Sequence, residues 1–285
     1  MQRSAVQAQG IPAISVISAC YNHGKYVAEM VASVLAQTFH DYELIIVNDG
    51  STDDTREVLD GLRVPRVRVV HTDNRGPALA RNRAIEEARA SLILNLDADD
   101  RIASTLLEKA HAVFLSHPDV RIVTCGDCFF GAKSGPFRLP AFALETMLTD
   151  NVIISSSFFR KEDWQRVGGY SNEFHFGLED WDFWLSLIEL GGEVYTIPEE
   201  LHFYRTYPRA RSCRSGRRKA SRKKMVPALL TIFDRHAELY SMCPKARDRM
   251  LRLRKQWETE GVLMRGLKEI LHVLLFRIHE VTNGR

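Results

Sequence analysis

Ser91-Leu92-Ile93-Leu94-Asn95-Leu96 is an apolar run of strand length, and it ends in Asp97-Ala98-Asp99-Asp100, three carboxylates within four positions. Burying such a run is favourable, but crowding like charges at its end is not unless a cation sits among them. A divalent metal with a bound phosphate meets that need, because hard cations take oxygen ligands and share them with substrate phosphates. A solvated acidic turn is the plainer account of a lone Asp-x-Asp. What argues for more is the pattern upstream.

Ile14-Ser15-Val16-Ile17-Ser18 predicts a first buried strand that runs into the polar loop Ala19-Cys20-Tyr21-Asn22-His23-Gly24. A helix follows, with Tyr26, Val27, Met30, Val31, Val34 and Leu35 at helical spacing as its buried face. Glu43-Leu44-Ile45-Ile46-Val47 predicts a second strand, ending at Asn48-Asp49-Gly50-Ser51-Thr52-Asp53-Asp54. There Asp49-Gly50 signals a tight turn, and Ser51 or Thr52 suits the N-cap of the next helix. Val67 to Val70 reads as a third strand, Arg75-Gly76-Pro77 opens a helix from Ala78 to Ala88, and the acidic-ended run is the fourth strand. Such alternation predicts an α/β domain on a mainly parallel, Rossmann-like sheet flanked by helices. Ligands of such sheets bind beyond the carboxyl ends of the strands. The loops at Tyr21-Asn22, Asn48-Asp49-Gly50 and Asp97-Ala98-Asp99 should therefore share one edge and form one site.

There is no G-x-x-x-x-G-K-[ST] loop and no G-x-G-x-x-G after the first strand. A P-loop nucleotidase and an ordinary dinucleotide-binding dehydrogenase are disfavoured. Any nucleotide phosphates need a metal on the carboxylates in place of a glycine cradle.

The chain has 285 residues, of which 45% are hydrophobic and 26% charged, as in an ordinary soluble protein with an ample core. Its net charge of +3 hides an asymmetry: acidic clusters gather before Asp182, and Arg205 to Lys224 is crowded with Arg and Lys. That block suits an anionic membrane surface, a phosphate-bearing substrate or nucleic acid. Without aromatic interleaving of the kind single-strand binders use, no specific nucleic acid is expected. Five cysteines at irregular spacing favour a reducing compartment, and Cys125-Gly126-Asp127-Cys128 reads as strand-end residues sooner than as a zinc or redox pair. Met1 to Pro12 lacks a signal pattern, and no apolar run approaches the roughly 20 residues needed to cross a bilayer. The expected location is the cytoplasm, with peripheral attachment to the inner face of the membrane as a further option.

Four ordered motifs carry a family likeness: Ser15 to Asn22, Ala32-Ser33-Val34-Leu35-Ala36-Gln37-Thr38, Val47 to Asp53, and Leu96 to Asp100. It continues in Val167-Gly168-Gly169-Tyr170 and Glu179-Asp180-Trp181-Asp182-Phe183-Trp184. From about residue 12 to 212 the chain resembles glycosyltransferase family 2. The resemblance implies a GT-A fold, a nucleotide-sugar donor (a UDP-sugar in the leading reading), Mn²⁺ or Mg²⁺, and inversion at the anomeric carbon. It divides residues 1–212 into a nucleotide-sugar-binding half, about 12–125, and an acceptor or catalytic half, about 126–212. By position, Ala19, Tyr21 and Asn22 would line the nucleoside pocket, with Tyr21 on the base. Asp49 would accept from the uracil imide, Asp97 would lie near the ribose, with Ala98 beside it, and Asp99 would ligate the metal. Arg75 or Arg81 would touch the diphosphate or the pocket wall.

In the second half, Val152 to Phe159 reads as a strand with small serines facing a sugar, Trp164 to Tyr170 as a short helix, and Glu179 to Leu190 as a longer one. The resemblance makes Asp180 the general base, with Glu179 orienting it or binding the acceptor. A carboxylate pair at a helix start is also a plain capping feature. Trp181 and Trp184 are either sugar-stacking rings or core. The family often places a histidine shortly after a Tyr-Arg pair, on the metal or phosphate side. Here Tyr204-Arg205-Thr206-Tyr207 is followed by Pro208, which leaves His202, Tyr207 or nothing in that role. Arg205, Arg209 and Arg211 are candidate diphosphate partners, Arg205 foremost. The Gln-x-x-Arg-Trp signature of processive synthases is absent, so one sugar per encounter is expected.

Residues 213–285 form a basic, amphipathic helical extension. Leu267, Ile270, Leu271, Leu274 and Leu275 share a stripe that suits packing on the catalytic domain, another subunit, or a membrane surface. The acceptor expected is a surface glycan, a lipid-linked oligosaccharide or a protein-bound sugar. The competing readings are a catalytically silent nucleotide-sugar-binding or scaffold protein, and a sugar nucleotidyltransferase. The latter would want a Gly-rich basic loop where Ala19-Cys20-Tyr21-Asn22 stands.

Overall fold

In a computed structural model of the chain, describing residues 10–174, 177–208 and 219–260 (backbone alone for 219–224), the first four apolar runs are parallel neighbours. Strand β1 (Ile14–Cys20) lies between β2 (Tyr42–Asp49) and β4 (Leu92–Asn95), and β3 (Val67–Thr72) flanks β2. Helices α1 (Gly24–Leu35), α2 (Thr55–Asp60) and α3 (Pro77–Glu87) make the crossovers. All of β2 and β4 is buried, and all of β1 except half-buried Ala19. Coverage of both faces is why these strands read as unbroken β-branched runs.

On α1, Val27, Met30, Val31 and Val34 enter the main core, as expected. Tyr26 is only half-buried and Leu35 is exposed. At 100° per residue both fall on the flanks of the stripe that Val27, Val31 and Val34 centre.

Beyond β4 come β5 (Arg101–Ile102), α4 (Leu106–Ser116), β6 (Val120–Gly131), β7 (Gly135–Phe137), α5 (Leu144–Met147), β8 (Phe158–Arg160), α6 (Lys161–Val167), α7 (Glu179–Glu189) and β9 (Glu193–Thr206). The sheet order is β3-β2-β1-β4-β8-β6-β9-β5, with β7 beside β6. Strand β8 runs antiparallel to β4 and β6, β6 and β9 are parallel, and β5 and β7 are antiparallel additions. The strand expected from Val152 to Phe159 shrinks to Phe158–Arg160. Upstream, Asn95 Nδ2 donates to the Ser155 carbonyl and hydroxyl, each at 3.0 Å, and Ser157 Oγ donates to the Ile154 carbonyl at 2.8 Å. Side chains thus satisfy backbone groups that a ladder would otherwise pair.

Helix α6 stops at Gly168, left-handed at φ +79°, and the chain docks on α3 through Asn82. Asn82 Oδ1 accepts from Trp164 Nε1 and the Tyr170 amide, while its Nδ2 donates to the Tyr170 carbonyl. Trp181 and Trp184 are buried. Trp181 Nε1 donates to the Met147 carbonyl at 2.8 Å, and Trp184 packs against Phe159 and Phe183. Both are core residues and not sugar platforms. Burial pushes the Cys125 thiol up to about 12, an inert state for one half of the C-x-x-C.

The chain divides into two compact units, Met1–Arg217 and Arg218–Arg285, where a boundary after residue 212 was expected. In the second, α8 (Lys219–Arg235), α9 (Ala237–Met242) and α10 (244–260) are helical. Phe233 meets Tyr240 edge-on at 4.8 Å, and Arg254 lies over Phe233 and pairs with Asp234. The stripe from Leu267 to Leu275, with Arg209 and Arg211, lies outside the described residues. Among the described residues no helix is long and apolar enough to cross a membrane.

Candidate active site

Because β1, β2 and β4 are parallel, their following loops emerge on one edge, as expected. The first two are stitched together. Asn22, left-handed at φ +57°, accepts at Oδ1 from the Thr52 amide at 2.8 Å, and its own amide donates to Ser51 Oγ at 3.0 Å. The Gly24 amide donates to Asp53 Oδ2 at 3.3 Å. Asn22 is therefore a loop organiser whose carbonyl oxygen is already engaged. Tyr21 beside it is 45% exposed, and Ala19 is half-buried.

Asp49 ends β2 and is buried. Its Oδ1 accepts from the Arg75 amide and its Oδ2 from the Gly76 amide, both at 2.9 Å. This carboxylate holds the turn that starts α3; Oδ1 also accepts from Thr72 Oγ1 at 3.4 Å, and Oδ2 retains a second lone pair for a ligand. Arg75 meets it only through its backbone, and its side chain is exposed.

Arg81, on α3, is buried between two carboxylates. Its Nη2 reaches Asp97 Oδ1 at 3.1 Å and its Nη1 reaches Glu179 Oε1 at 2.5 Å, while its guanidinium lies 5.6 Å from the Tyr170 ring centre. Burial alone would lower the Arg81 pKa, but the charges of Asp97 and Glu179 raise it instead. Burial would likewise raise Asp97, and Arg81 holds it below the usual carboxylate range. Arg81 is thus part of the wall, with both terminal nitrogens committed, and Glu179 points to Arg81 and not to its neighbour Asp180.

The last two carboxylates of the strand end differ in setting. Half-buried Asp99 accepts at Oδ2 from the Tyr207 hydroxyl at 2.6 Å. Buried Asp100 accepts at Oδ1 from the Arg205 amide at 2.7 Å, and its Oδ2 lies 3.2 Å from His202 Nε2 in an ion-pair contact. The other His202 nitrogen, Nδ1, bonds Asp127 Oδ1 at 2.9 Å. Burial works against a charged His202, yet the two carboxylates raise its pKa, so the imidazolium sits locked between them. His202 is committed to Asp100 and Asp127, and of the two candidates for the metal side it is Tyr207 that touches Asp99. Arg205, expected at the diphosphate, donates through Nε to the Asp99 carbonyl at 2.7 Å, pairs with Glu29, and lies over Tyr26 and Phe130. Ala98 is 1% exposed and packs in the core, so its methyl group presents nothing to a ligand.

Asp180, half-buried in the first turn of α7, accepts at Oδ2 from Asn151 Nδ2 at 3.1 Å. Asn151 stands in no motif, and neither Asp127, read as part of a strand end, nor Tyr170, read as part of the Val167-Gly168-Gly169-Tyr170 likeness, was expected to touch the site. Among the described residues no group of three or more His, Cys, Asp or Glu is arranged to hold a metal.

Residues 15–167 match the family profile described as Glycosyl transferase family 2, and residues 155–209 match one described as N-terminal domain of galactosyltransferase. The putative teichuronic acid biosynthesis glycosyltransferase TuaG of Bacillus subtilis is 31% identical over 200 residues, 68% of this chain and 79% of TuaG. Chondroitin synthase of Pasteurella multocida is 30% identical over 197 residues, 64% of this chain and only 19% of that synthase. The chain thus spans about a fifth of the length of that relative. Among solved structures, S. aureus TarS (residues 1–349) in complex with UDP-GlcNAc superposes with TM-score 0.63 at 18% identity, covering 77% of this chain and 66% of that one. Mannosyltransferase PcManGT from Pyrobaculum calidifontis, in complex with GDP-Man and Mn²⁺, gives 0.60 at 20% identity over 92% and 81%. The shared fold is the GT-A fold of glycosyltransferases.

Proposed function

Since the chain belongs to glycosyl transferase family 2, we propose that it moves a single sugar from a UDP-sugar to a hydroxyl of a glycan or lipid-linked acceptor, with inversion. The observation that carries this reading is the Arg81 bridge. It ties Asp97, on the acidic strand end, to Glu179, whose neighbour in sequence is the proposed base Asp180. A donor edge and a candidate base on one rigid frame are what single displacement needs. The TuaG and chondroitin synthase relatives support a polysaccharide acceptor, and the TarS complex with UDP-GlcNAc supports a UDP-sugar.

In this reading Tyr21 stacks on the base, and Asp49 accepts from the uracil imide at Oδ2, the oxygen that holds only the Gly76 amide among the described residues. Asp180 takes the proton of the acceptor hydroxyl, on the side opposite the departing diphosphate. A sugar hydroxyl is a poor nucleophile at neutral pH, and general-base help is typically worth ~10² to 10⁴ in rate. Asn151 Nδ2 donates to Oδ2 of Asp180 and the Trp181 amide to its Oδ1, which together orient the carboxylate.

The residues present fit Mn²⁺ or Mg²⁺. Such ions are held by one or two carboxylates together with substrate phosphates and waters. Asp99 is half-buried, and its Oδ1 accepts no hydrogen bond among the described residues. Asp99 would hold an ion that arrives with the diphosphate. When bound, it stabilises the charge that develops on the leaving diphosphate.

The test is a panel of UDP- and GDP-sugars with Mn²⁺, read by thermal stabilisation and by release of the nucleoside diphosphate. A ligand of the folded state raises its apparent stability. We expect a UDP-sugar to raise the melting temperature and to be slowly hydrolysed. If no nucleotide sugar stabilises the protein with either Mn²⁺ or Mg²⁺, the reading fails.

A further inference from the structure

The two oxygens of Asp99 are not equivalent. The Tyr207 hydroxyl donates to Oδ2 at 2.6 Å, and no described residue donates to Oδ1. The phenol is itself held. The Tyr26 ring meets it edge-on with centroids 5.4 Å apart, and the guanidinium of Arg205, two residues earlier on β9, lies over the Tyr26 ring at 4.7 Å from its centre. Arg205 also holds the acidic loop, donating through Nε to the Asp99 backbone carbonyl and through its amide to the Asp100 carboxylate. Asp99 is thereby pinned at its main chain by Arg205 and at one carboxylate oxygen by Tyr207.

Resting on the function proposed above, we infer that Tyr207 is the positioning residue of the metal ligand: its phenol orients Asp99 and leaves Oδ1 as the ligating oxygen. A ligating carboxylate held by a hydrogen bond to its other oxygen loses no rotational freedom when the ion binds, and loss of such a partner typically weakens metal binding ~10- to 100-fold. The role differs from that of a histidine. An imidazole at this place would add a nitrogen ligand. The phenol instead gives its hydrogen to Asp99 Oδ2 at 2.6 Å and brings no nitrogen to the ion. The ion then meets oxygen alone, from Asp99, the diphosphate and water. An all-oxygen set suits Mg²⁺ and Mn²⁺, whereas imidazole draws nickel and zinc.

The test is calorimetric titration of Mn²⁺ into the full chain saturated with UDP, for the wild type, Tyr207→Phe and Tyr207→His, with UDP affinity in EDTA as the control. Tyr207→Phe is expected to weaken Mn²⁺ binding ~10- to 100-fold while metal-free UDP affinity stays unchanged. Tyr207→His is expected to gain affinity for Ni²⁺ relative to Mg²⁺. Equal Mn²⁺ affinity in wild type and Tyr207→Phe overturns the assignment, and tighter binding in the variant shows that the phenol competes with the ion. Should Tyr207→Phe fail to fold, unaltered Ni²⁺ preference in Tyr207→His overturns it instead. A wild type that binds no Mn²⁺ in the presence of UDP overturns the proposed function itself, a separate outcome.

Discussion

Arg81 and Glu179 lie 98 positions apart in the chain and 2.5 Å apart in the fold, with both side chains buried. The remaining terminal nitrogen of Arg81 bonds Asp97, and no described residue accepts from its Nε. One cation therefore neutralises carboxylates from two elements, the acidic strand end and the first turn of α7. Without it, Asp97 and Glu179 would repel across the space in which substrate is proposed to lie.

Removing that cation should be costly in stability as well as in activity. Breaking a buried ion pair by deleting one partner typically costs ~3–5 kcal/mol. Asp97 is partly exposed, so the lower end applies here. Arg81→Met is expected to lose about 3 kcal/mol in urea denaturation. Arg81→Lys should recover only part, because an ammonium cannot present two parallel donors. A loss under about 0.5 kcal/mol, the range of ordinary surface changes, would show that the bridge is not a structural element.

For the proton transfer, Asp180→Asn is expected to reduce sugar transfer by ~10² or more with UDP affinity close to wild type. Asn151→Ala should lower kcat more mildly and leave the KM for donor unchanged, since among the described residues the Asn151 side chain bonds Asp180 and its own loop. Steady-state kinetics with a fixed acceptor separates the two effects. Loss of UDP binding in Asp180→Asn would move this residue from base to donor site.

How much of this was open to the sequence follows from range. β1, β2 and β4 were legible because burial on both faces demands continuous β-branched runs, and parallel strands put their loops on one edge. The stretch from Val152 to Ser157 was not, because the side chain of Asn95, some sixty positions away, takes over the Ser155 backbone. The family resemblance singled out Asp97, Asp99 and Asp180 but said nothing of their partners. Tyr207 on Asp99 and Arg81 on Glu179 are contacts across about a hundred residues, which no local period records. Arg205 read as a phosphate ligand because guanidinium suits phosphate, and its bonds to the Asp99 carbonyl and Glu29 are long-range contacts the sequence does not record.

Gly168 and Gly169 offer an internal comparison. Both are left-handed, at φ +79° and +80°, yet a Cβ on Gly168 would meet nothing within 4 Å. One on Gly169 would lie 2.8 Å from both Asn82 Oδ1 and Trp164 Nε1. Left-handed backbone costs an ordinary L-residue ~1–2 kcal/mol. Gly168→Ala is expected to lose about that much, and Gly169→Ala clearly more, because it also pries Asn82 from Trp164 and Tyr170. Equal losses in parallel denaturation curves would mean that the second glycine is not a point of close approach.

Glu43 gives a pH dependence whose sign can be worked out. It is buried in β2, where Oε1 accepts from Ser15 Oγ at 2.7 Å and the Arg89 amide at 2.8 Å, and Oε2 accepts from Arg89 Nε at 2.9 Å. Burial alone would raise its pKa, but the Arg89 amide, the Ser15 hydroxyl and the Arg89 guanidinium together bring it below 4.5. The unfolded chain then binds this proton more readily than the native one, so the contribution is fully present above pH 4.5 and lost as pH falls through the native value. Glu43→Gln keeps the shape and removes the charge. It is expected to cost about 2 kcal/mol at neutral pH, the scale of hydrogen bonds to a charged group. The gap from wild type should narrow steadily as urea denaturation is repeated below pH 4.5. A gap that stays constant into acid would mean that Glu43 is held for its shape and not for its charge.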